Sequence, residues 1–378
     1  MKPLLRVSPL LFFTACGGPD SFELQSRALT TFGRVEPHHL PPSIRAEEAE
    51  LGRLLFWDPI LSGDRDVACA SCHHPDAGYA ERLDLSRGVG AVGLSEQRRG
   101  GMLVPRNAMS ILNVALNGIA EPHDVYDPNA APMFWDNRMQ SLERQALRPT
   151  HVFEEMRGNA FAEERTVGIL SVRLASIPEY VDLFERAFPG ERIGEDTMSR
   201  AIAAFERTLL AVDAPFDRYM DGDITALNPE EERGLEAFFE GDCHRCHSGP
   251  LLSDFRLHTN GVPDNERLTQ SDAANGDFAF RTPTLRNVAL HPPYMHGGVV
   301  ETLEDVVDFY HEINERNGVP DSPVPREALD RGLRRISVPR NAAEPIAAFL
   351  RTLGDETFDR TIPARVPSGL PPGGNIAP

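Results

Sequence analysis

A mainly α-helical protein in two similar halves, joined by long constrained loops, is what this sequence predicts from three observations. Thirty-two prolines and thirty glycines stand among 378 residues that contain few alternating, strand-like runs. Several segments carry apolar residues at helical spacing. One five-residue signature occurs twice, as Cys69-Ala70-Ser71-Cys72-His73 and Cys243-His244-Arg245-Cys246-His247. The length suffices for two domains of ordinary size, each with its own core.

Each CxxCH offers two thiols that can add to the vinyl groups of one haem, followed by a histidine placed to bind its iron. From this chain's own Cys and His frequencies, the expected number of chance copies is roughly 0.002. Two copies therefore predict two covalently bound c-type haems, each in a cytochrome c-like domain. A zinc site of paired CxxC elements is the competing reading. It explains neither the His after both pairs nor the 174 residues separating them.

The elements follow in order. A short basic start, Met1 to Arg6, precedes an apolar stretch to Phe13 and then Thr14-Ala15-Cys16-Gly17. This predicts an export signal too short to span a bilayer, with a lipoprotein-type cleavage box that makes Cys16 a lipidated N-terminus. An ordinary signal peptide is the alternative. Both lead out of the cytoplasm, as haem attachment to exported apocytochromes requires. Glu47 to Trp57 reads as an amphipathic helix ending before Pro59. Asn228 caps a second, Pro229 to Glu240, which runs into Cys243. Gly52-x-x-x-Phe56 and Gly234-x-x-x-Phe238 echo each other faintly, consistent with duplication of one unit. Between them lie helical stretches at Glu163 to Phe188, broken by Pro178, and Glu195 to Val212. Thr302 opens another through a near capping box, and Ala343 to Leu353 makes the last. The net charge of −19 excludes nucleic acid as a natural partner; it suits a basic redox protein, or simply solubility.

The chain resembles the bacterial dihaem cytochrome c peroxidase family, and within it the MauG branch, over about Thr31 to Asp359. The resemblance rests on both CxxCH sites, Arg106-Asn107 with Asn113-Val114-Ala115, Phe134-Trp135-Asp136-Asn137-Arg138, Ser141-Leu142-Glu143-Arg144-Gln145-Ala146, Glu155-Met156, Arg281-Thr282-Pro283-Thr284-Leu285-Arg286-Asn287-Val288, Pro293-Tyr294-Met295-His296-Gly297-Gly298 and Thr302 to Tyr310. It implies 31–215 as an N-terminal peroxidatic haem domain and 216–362 as a C-terminal electron-transfer haem domain; the export signal sets residues 1–15 as a lipoprotein signal peptide and 16–30 as a tether, and the proline- and glycine-rich end, 363–378, is expected to be a flexible tail.

For the first haem, the resemblance implies iron held by His73, with Glu155 as acid/base catalyst, Gln145 orienting ligand or water, and Trp135 relaying electrons between the haems. Taken alone, Glu155 would be a solvated surface charge and Trp135 a core aromatic. A blocking histidine found in many relatives would fall at Val89, so the first iron is expected to be open without prior reduction. His74 is expected to be a surface or propionate contact. For the second haem, held by His247, the usual distal methionine is replaced by Tyr310, a phenolate donor that lowers the potential. Met295 and His311 are the alternatives, and His296 falls beside this haem. A calcium ion is implied between the haems at Asn107, His291 and Pro293.

Function then divides in two. One reading is an enzyme that reduces hydrogen peroxide with electrons from a c-type cytochrome or cupredoxin, or that performs MauG-like high-valent oxidation of a protein or organic substrate. The other is a dihaem carrier with no need of Glu155. The expected place is the periplasmic side of a bacterial envelope, with contact to the membrane only through a lipid anchor.

Overall fold

The computed structural model describes residues 21–315 and 318–377, so the export signal and Cys16 lie outside the described residues. Among these are α1 (Ser21–Phe32), α2 (Ala46–Trp57), α3 (Leu142–Ala146), α4 (Arg148–His151), α5 (Thr166–Ala175), α6 (Pro178–Ala187), α7 (Glu195–Glu206), α8 (Pro215–Met220), α9 (Pro229–Glu240), α10 (Leu303–Glu315) and α11 (Ala343–Arg351). The strands among the described residues are three two-residue antiparallel pairs. The protein is mainly helical.

Helix starts follow local chemistry. Asn228 Oδ1 accepts from the Glu230 and Glu231 N–H groups at 2.8 and 3.1 Å, and Pro229 presets the first helical φ of α9. Thr302 Oγ1 accepts from the Asp305 N–H at 3.1 Å and starts α10. The helix predicted to reach Val212 instead ends at Glu206. Beyond it the chain pairs with Asn113, whose N–H donates to the Leu209 carbonyl at 2.9 Å. The Asn113 side chain both accepts from Ala211 N–H and donates to its carbonyl, each at 2.8 Å. A buried asparagine thus outcompetes the helix for these backbone groups.

The glycine echo has a structural cause. A Cβ on Gly52 would lie 1.8 Å from the Ala201 carbonyl oxygen, and one on Gly234 would lie 1.9 Å from that of Pro345. Bare backbone at these two points lets α2 cross α7 and α9 cross α11 at contact distance. The duplication extends further than the sequence reading took it. The offset of 174 residues between Cys69 and Cys243 also separates Asn113 from Asn287. Both asparagines are left-handed, at φ 59° and 62°, and both precede a single turn of Val-Ala-Leu.

The termini depart from expectation. The described parts of the predicted tether, from Ser21 on, and of the predicted flexible tail are both docked, each on the half more distant in sequence. In α1, Ala28 and Phe32 are buried in the second core, where Phe32 meets Phe216 edge-on at 5.8 Å and stacks on Phe239 at 5.4 Å. Beyond Pro363, Val366 is buried in the first half against Trp57 and Tyr79. Ser368 Oγ donates to Asp58 at 2.7 Å, Gly373 N–H to the Trp57 carbonyl at 2.7 Å, and Ser71 Oγ, inside the first CxxCH, to the Gly373 carbonyl at 2.8 Å. Backbone and hydroxyl pairing to buried partners holds a proline- and glycine-rich segment that composition alone reads as loose.

Candidate functional site

A cavity of about 470 Å³ in the first half is lined by Cys69, Cys72, His73, Trp135, Gln145 and Glu155, among others. The motif forms one tight turn, with the His73 N–H donating to the Cys69 carbonyl at 2.9 Å. This gathers both thiols and the imidazole at one wall. His73 Nδ1 lies 3.2 Å from the Tyr79 carbonyl, so Nδ1 carries the proton and Nε2 is left as the ligand atom. Burial holds this histidine below its ordinary pKa, in the neutral form a metal requires.

Glu155 sits on a widened turn, in which Arg157 N–H donates to the Val152 carbonyl and Gly158 N–H to that of Phe153, both at 3.0 Å. Such i→i+5 turns recur at functional sites because they push one side chain out of helical register. The turn is braced by Gly88-Val89. The Val89 N–H donates to the Glu154 carbonyl at 3.1 Å, and a Cβ on Gly88 would stand 1.9 Å from that same oxygen. Val89 is therefore a buried prop behind Glu155 and is not among the lining residues. Desolvation, with Glu154 adding, pushes the Glu155 carboxyl up to about 7 against the pull of Arg138, Arg106 and Arg148. Gln145, on α3, faces the same cavity; Ser141 Oγ accepts from the Arg144 N–H at the start of that helix.

The second half repeats the arrangement around a cavity of about 200 Å³ lined by Cys243, Cys246 and His247. His247 Nδ1 lies 3.0 Å from the Leu252 carbonyl, again leaving Nε2, and burial lowers its pKa to about 4. Tyr310 and Met295 both line this cavity, as do His291 and His296. His311 does not; its Nδ1 is engaged 2.7 Å from the Val338 carbonyl. Burial pushes the Tyr310 phenol up to about 12, opposed by a hydrogen bond with Asn260, so its ionisation calls for a metal to displace the proton. His296 is buried and stacked on Phe280, ring centroids 3.6 Å apart.

Asn107, Trp135, Arg281 and Thr284 line both cavities. The Asn107 amide nitrogen sits 2.7 Å from the Leu83 carbonyl and 3.4 Å from that of Pro293, so two members of the expected calcium set meet. Arg281 is 5 % exposed and has no carboxylate partner among the described residues; its Nε donates to the Phe134 carbonyl at 3.0 Å. Desolvation lowers it to about 10. A guanidinium so placed needs an anion. Two thiols and one neutral imidazole in each cavity, with this unpaired cation in the wall between them, fit a haem in each, and a haem propionate would supply the missing charge.

The sequence reading passed over several ionised groups around these walls. Arg106 bridges Asp136 at 2.9 Å and Asp272 at 2.6 Å, tying the halves together. Glu81 and Arg98 are buried as a loose pair at 3.7 Å beside Cys72, and burial raises Glu81 to about 7. His258 lies between Asp254 at 3.0 Å and Asp330 at 2.9 Å; hydrogen bonding to Asp254, then to the Cys246 sulfur and Asp330, raises it to about 11. Single acidic and basic residues in loops carry no periodic signal, so only the motifs that contain Arg106 and Asp136 pointed to any of them. His74, expected as a surface or propionate contact, is not at the surface: it is buried, its Nδ1 accepts from the Asp76 N–H at 3.2 Å, and its ring meets Trp57 edge-on at 5.5 Å.

Residues 46–225 match the family described as di-haem cytochrome c peroxidase. The chain is 35 % identical over 277 residues to cytochrome c551 peroxidase of Pseudomonas aeruginosa, covering 70 % of this chain and 71 % of that one. The chain belongs to the di-haem cytochrome c peroxidase family. Within this family it is also 31 % identical over 365 residues to the methylamine utilization protein MauG of Methylorubrum extorquens, covering 93 % and 92 % of the two chains. A MauG-like protein associated with microbial copper homeostasis shares the fold of this di-haem peroxidase relative at TM-score 0.68 and 28 % identity, over 85 % of this chain and 95 % of that one. The diheme peroxidase BthA of Burkholderia thailandensis does so at 0.63 and 26 %, over 89 % and 92 %.

Proposed function

We propose that this family member is a peroxidase that reduces hydrogen peroxide in the first cavity, with electrons from a small redox protein arriving through the second. The observation that carries the reading is the presence of Glu155, raised to about 7, and Gln145 in the same cavity as a buried, neutral His73 whose Nδ1 is engaged by the Tyr79 carbonyl. Haem would be held by Cys69, Cys72 and His73 in one cavity, and by Cys243, Cys246 and His247 in the other. When bound, it supplies the iron that exchanges electrons with peroxide. Glu155 as carboxylate takes the proton from the peroxide oxygen nearer the iron and, as acid, hands it to the departing oxygen. A pKa near 7 suits both halves of that transfer. Gln145 offers an amide donor and acceptor to orient peroxide or water. A carrier that only passes electrons has no use for this pair.

Tyr310 favours a second reading, MauG-like oxidation of a protein or organic substrate, because an anionic oxygen donor stabilises oxidised iron and lowers its potential. The distinguishing experiment is electron paramagnetic resonance of the ferric holoprotein beside Tyr310→Met and Met295→Leu. With Tyr310 as ligand, only the first variant changes the spectrum of the second haem and raises its potential. Identical spectra in wild type and Tyr310→Met remove Tyr310 from the ligand set.

Calcium at Asn107, with the Pro293 and His291 carbonyls, belongs to the same proposal; the oxygen-rich surroundings of Asn107 support it. A periplasmic location with a lipid on Cys16 is likewise part of this reading. No described helix is long and apolar enough to cross a membrane.

A further inference from the structure

Besides Glu155, three carboxyls line the first cavity: Asp136 and Asp272, both paired with Arg106, and Glu206. Glu206, the last residue of α7, lines it alongside Glu155, is 6 % exposed, and has an Oε2 with no hydrogen-bond partner. Its neighbour Arg207 does not neutralise it. That guanidinium is spent on Glu143 and, at 2.8 Å, on the Tyr126 hydroxyl. A carboxylate buried without a partner costs more than its acid form, so the group is held as a carboxylic acid with its proton free to donate into the cavity. The charged groups around it are Arg207, which favours ionisation, and Glu143, which opposes it. Cys69 also lies near and ceases to titrate once it is a thioether. Burial dominates and lifts Glu206 to about 8. Glu143 has a side chain 31 % exposed and so connects this neighbourhood to solvent.

We propose that Glu206 is a second proton-delivering carboxylic acid of the first cavity. The inference rests on the peroxidase reading. Converting one hydrogen peroxide to two waters consumes two electrons and two protons. Glu155 only relocates the proton that peroxide brings. Glu206 supplies the first of the two further protons, is left as carboxylate, is reloaded from solvent past Glu143 and then supplies the second; the donor protein provides both electrons.

The test compares holoprotein carrying Glu206→Gln, Glu206→Asp, Glu143→Gln or Glu155→Gln. In the resting wild type at pH 7, infrared difference spectroscopy shows carboxylic-acid absorption of which Glu206→Gln removes the larger part and Glu155→Gln a smaller part. Glu206→Gln slows peroxide turnover about tenfold to a hundredfold, below the full range for general acid catalysis, and erases the alkaline limb of the pH profile near 8. Glu206→Asp restores most of both, and Glu143→Gln slows reloading, seen as a turnover that falls more steeply with pH. Glutamine is isosteric with the neutral acid, so unchanged thermal melting separates proton delivery from folding. Wild-type turnover and pH profile in Glu206→Gln, with Glu155→Gln inactive, overturn the inference and leave the peroxidase standing. Full turnover in both variants removes both carboxyls from the reaction and so overturns the inference, whereas absence of peroxide turnover in the wild-type holoprotein overturns the peroxidase reading itself.

Discussion

The Trp135 indole N–H donates to the Asn107 backbone carbonyl at 2.9 Å, and the two residues together form part of the wall of each cavity. The bond holds the indole in the wall that the two cavities share. It also joins the candidate electron route to the candidate calcium site, because the Asn107 side chain reaches the Pro293 carbonyl. Trp135→Phe keeps the apolar bulk and removes the bond, at about 0.5–1.5 kcal/mol of stability. Electron passage between the haems is expected to slow tenfold or more, equivalent to about 1.4 kcal/mol of barrier per factor of ten. Stopped-flow spectra that follow each haem separately after peroxide addition check it.

Glu155→Gln is expected to reduce peroxide turnover by about 10² to 10⁴-fold while leaving haem content unchanged. In the wild type the base form is required first, so activity rises with pH through about 7 as Glu155 loses its proton. A pH series of initial rates in both proteins reads this out, and the acid limb should be missing from the variant.

Stability should fall on the alkaline side. Glu81, Glu155 and Glu206 are raised from 4.5 to about 7, 7 and 8 by burial. Between those values the folded state holds protons that the unfolded chain has released, so unfolding free energy declines as pH rises. The contribution of these groups is fully present below about 4.5 and gone above about 8. The buried histidines His291 and His296, lowered to about 4, act in the opposite sense, but only below 6.5. Thermal melts should therefore show a lower midpoint at pH 8.5 than at pH 6.5, and Glu206→Gln should flatten part of that decline.

Truncation after Pro363 should destabilise the first half selectively. It exposes the apolar surface that Val366 covers, worth about 1.5 kcal/mol, and leaves Asp58 and Ser71 short of partners, at about 1–3 kcal/mol each. Hydrogen exchange measured by mass spectrometry should show faster opening around α2 and Cys69 to His73, with α9 and α11 unchanged.

Much of the architecture could be read directly. The helix at Pro229 to Glu240 has its cap, its proline and its acidic first turn in sequence order, and the CxxCH pairs state their own chemistry. Val89, Glu81 and Glu206 could not be read, because what each does is set by partners distant in sequence. Val89 props a turn that lies 65 residues onward, at Glu154. The end of α7 was misjudged for a related reason: no local pattern announces that Asn113 will claim Leu209 and Ala211. The C-terminal segment was the largest departure, since proline and glycine signal an absence of helix and say nothing about whether the resulting loop is anchored.

The crossed termini bear on how this protein can be taken apart. Ser71 and Gly373 meet across 302 residues, so the contact that seals the first motif must wait until both halves exist. Cutting the chain between α7 and α8 gives no pair of self-sufficient pieces. The front fragment would lack the strand of backbone that covers Trp57, and the rear fragment would lack the aromatic plug of Phe32. Two centres that look like tandem beads in the sequence are assembled as one indivisible object.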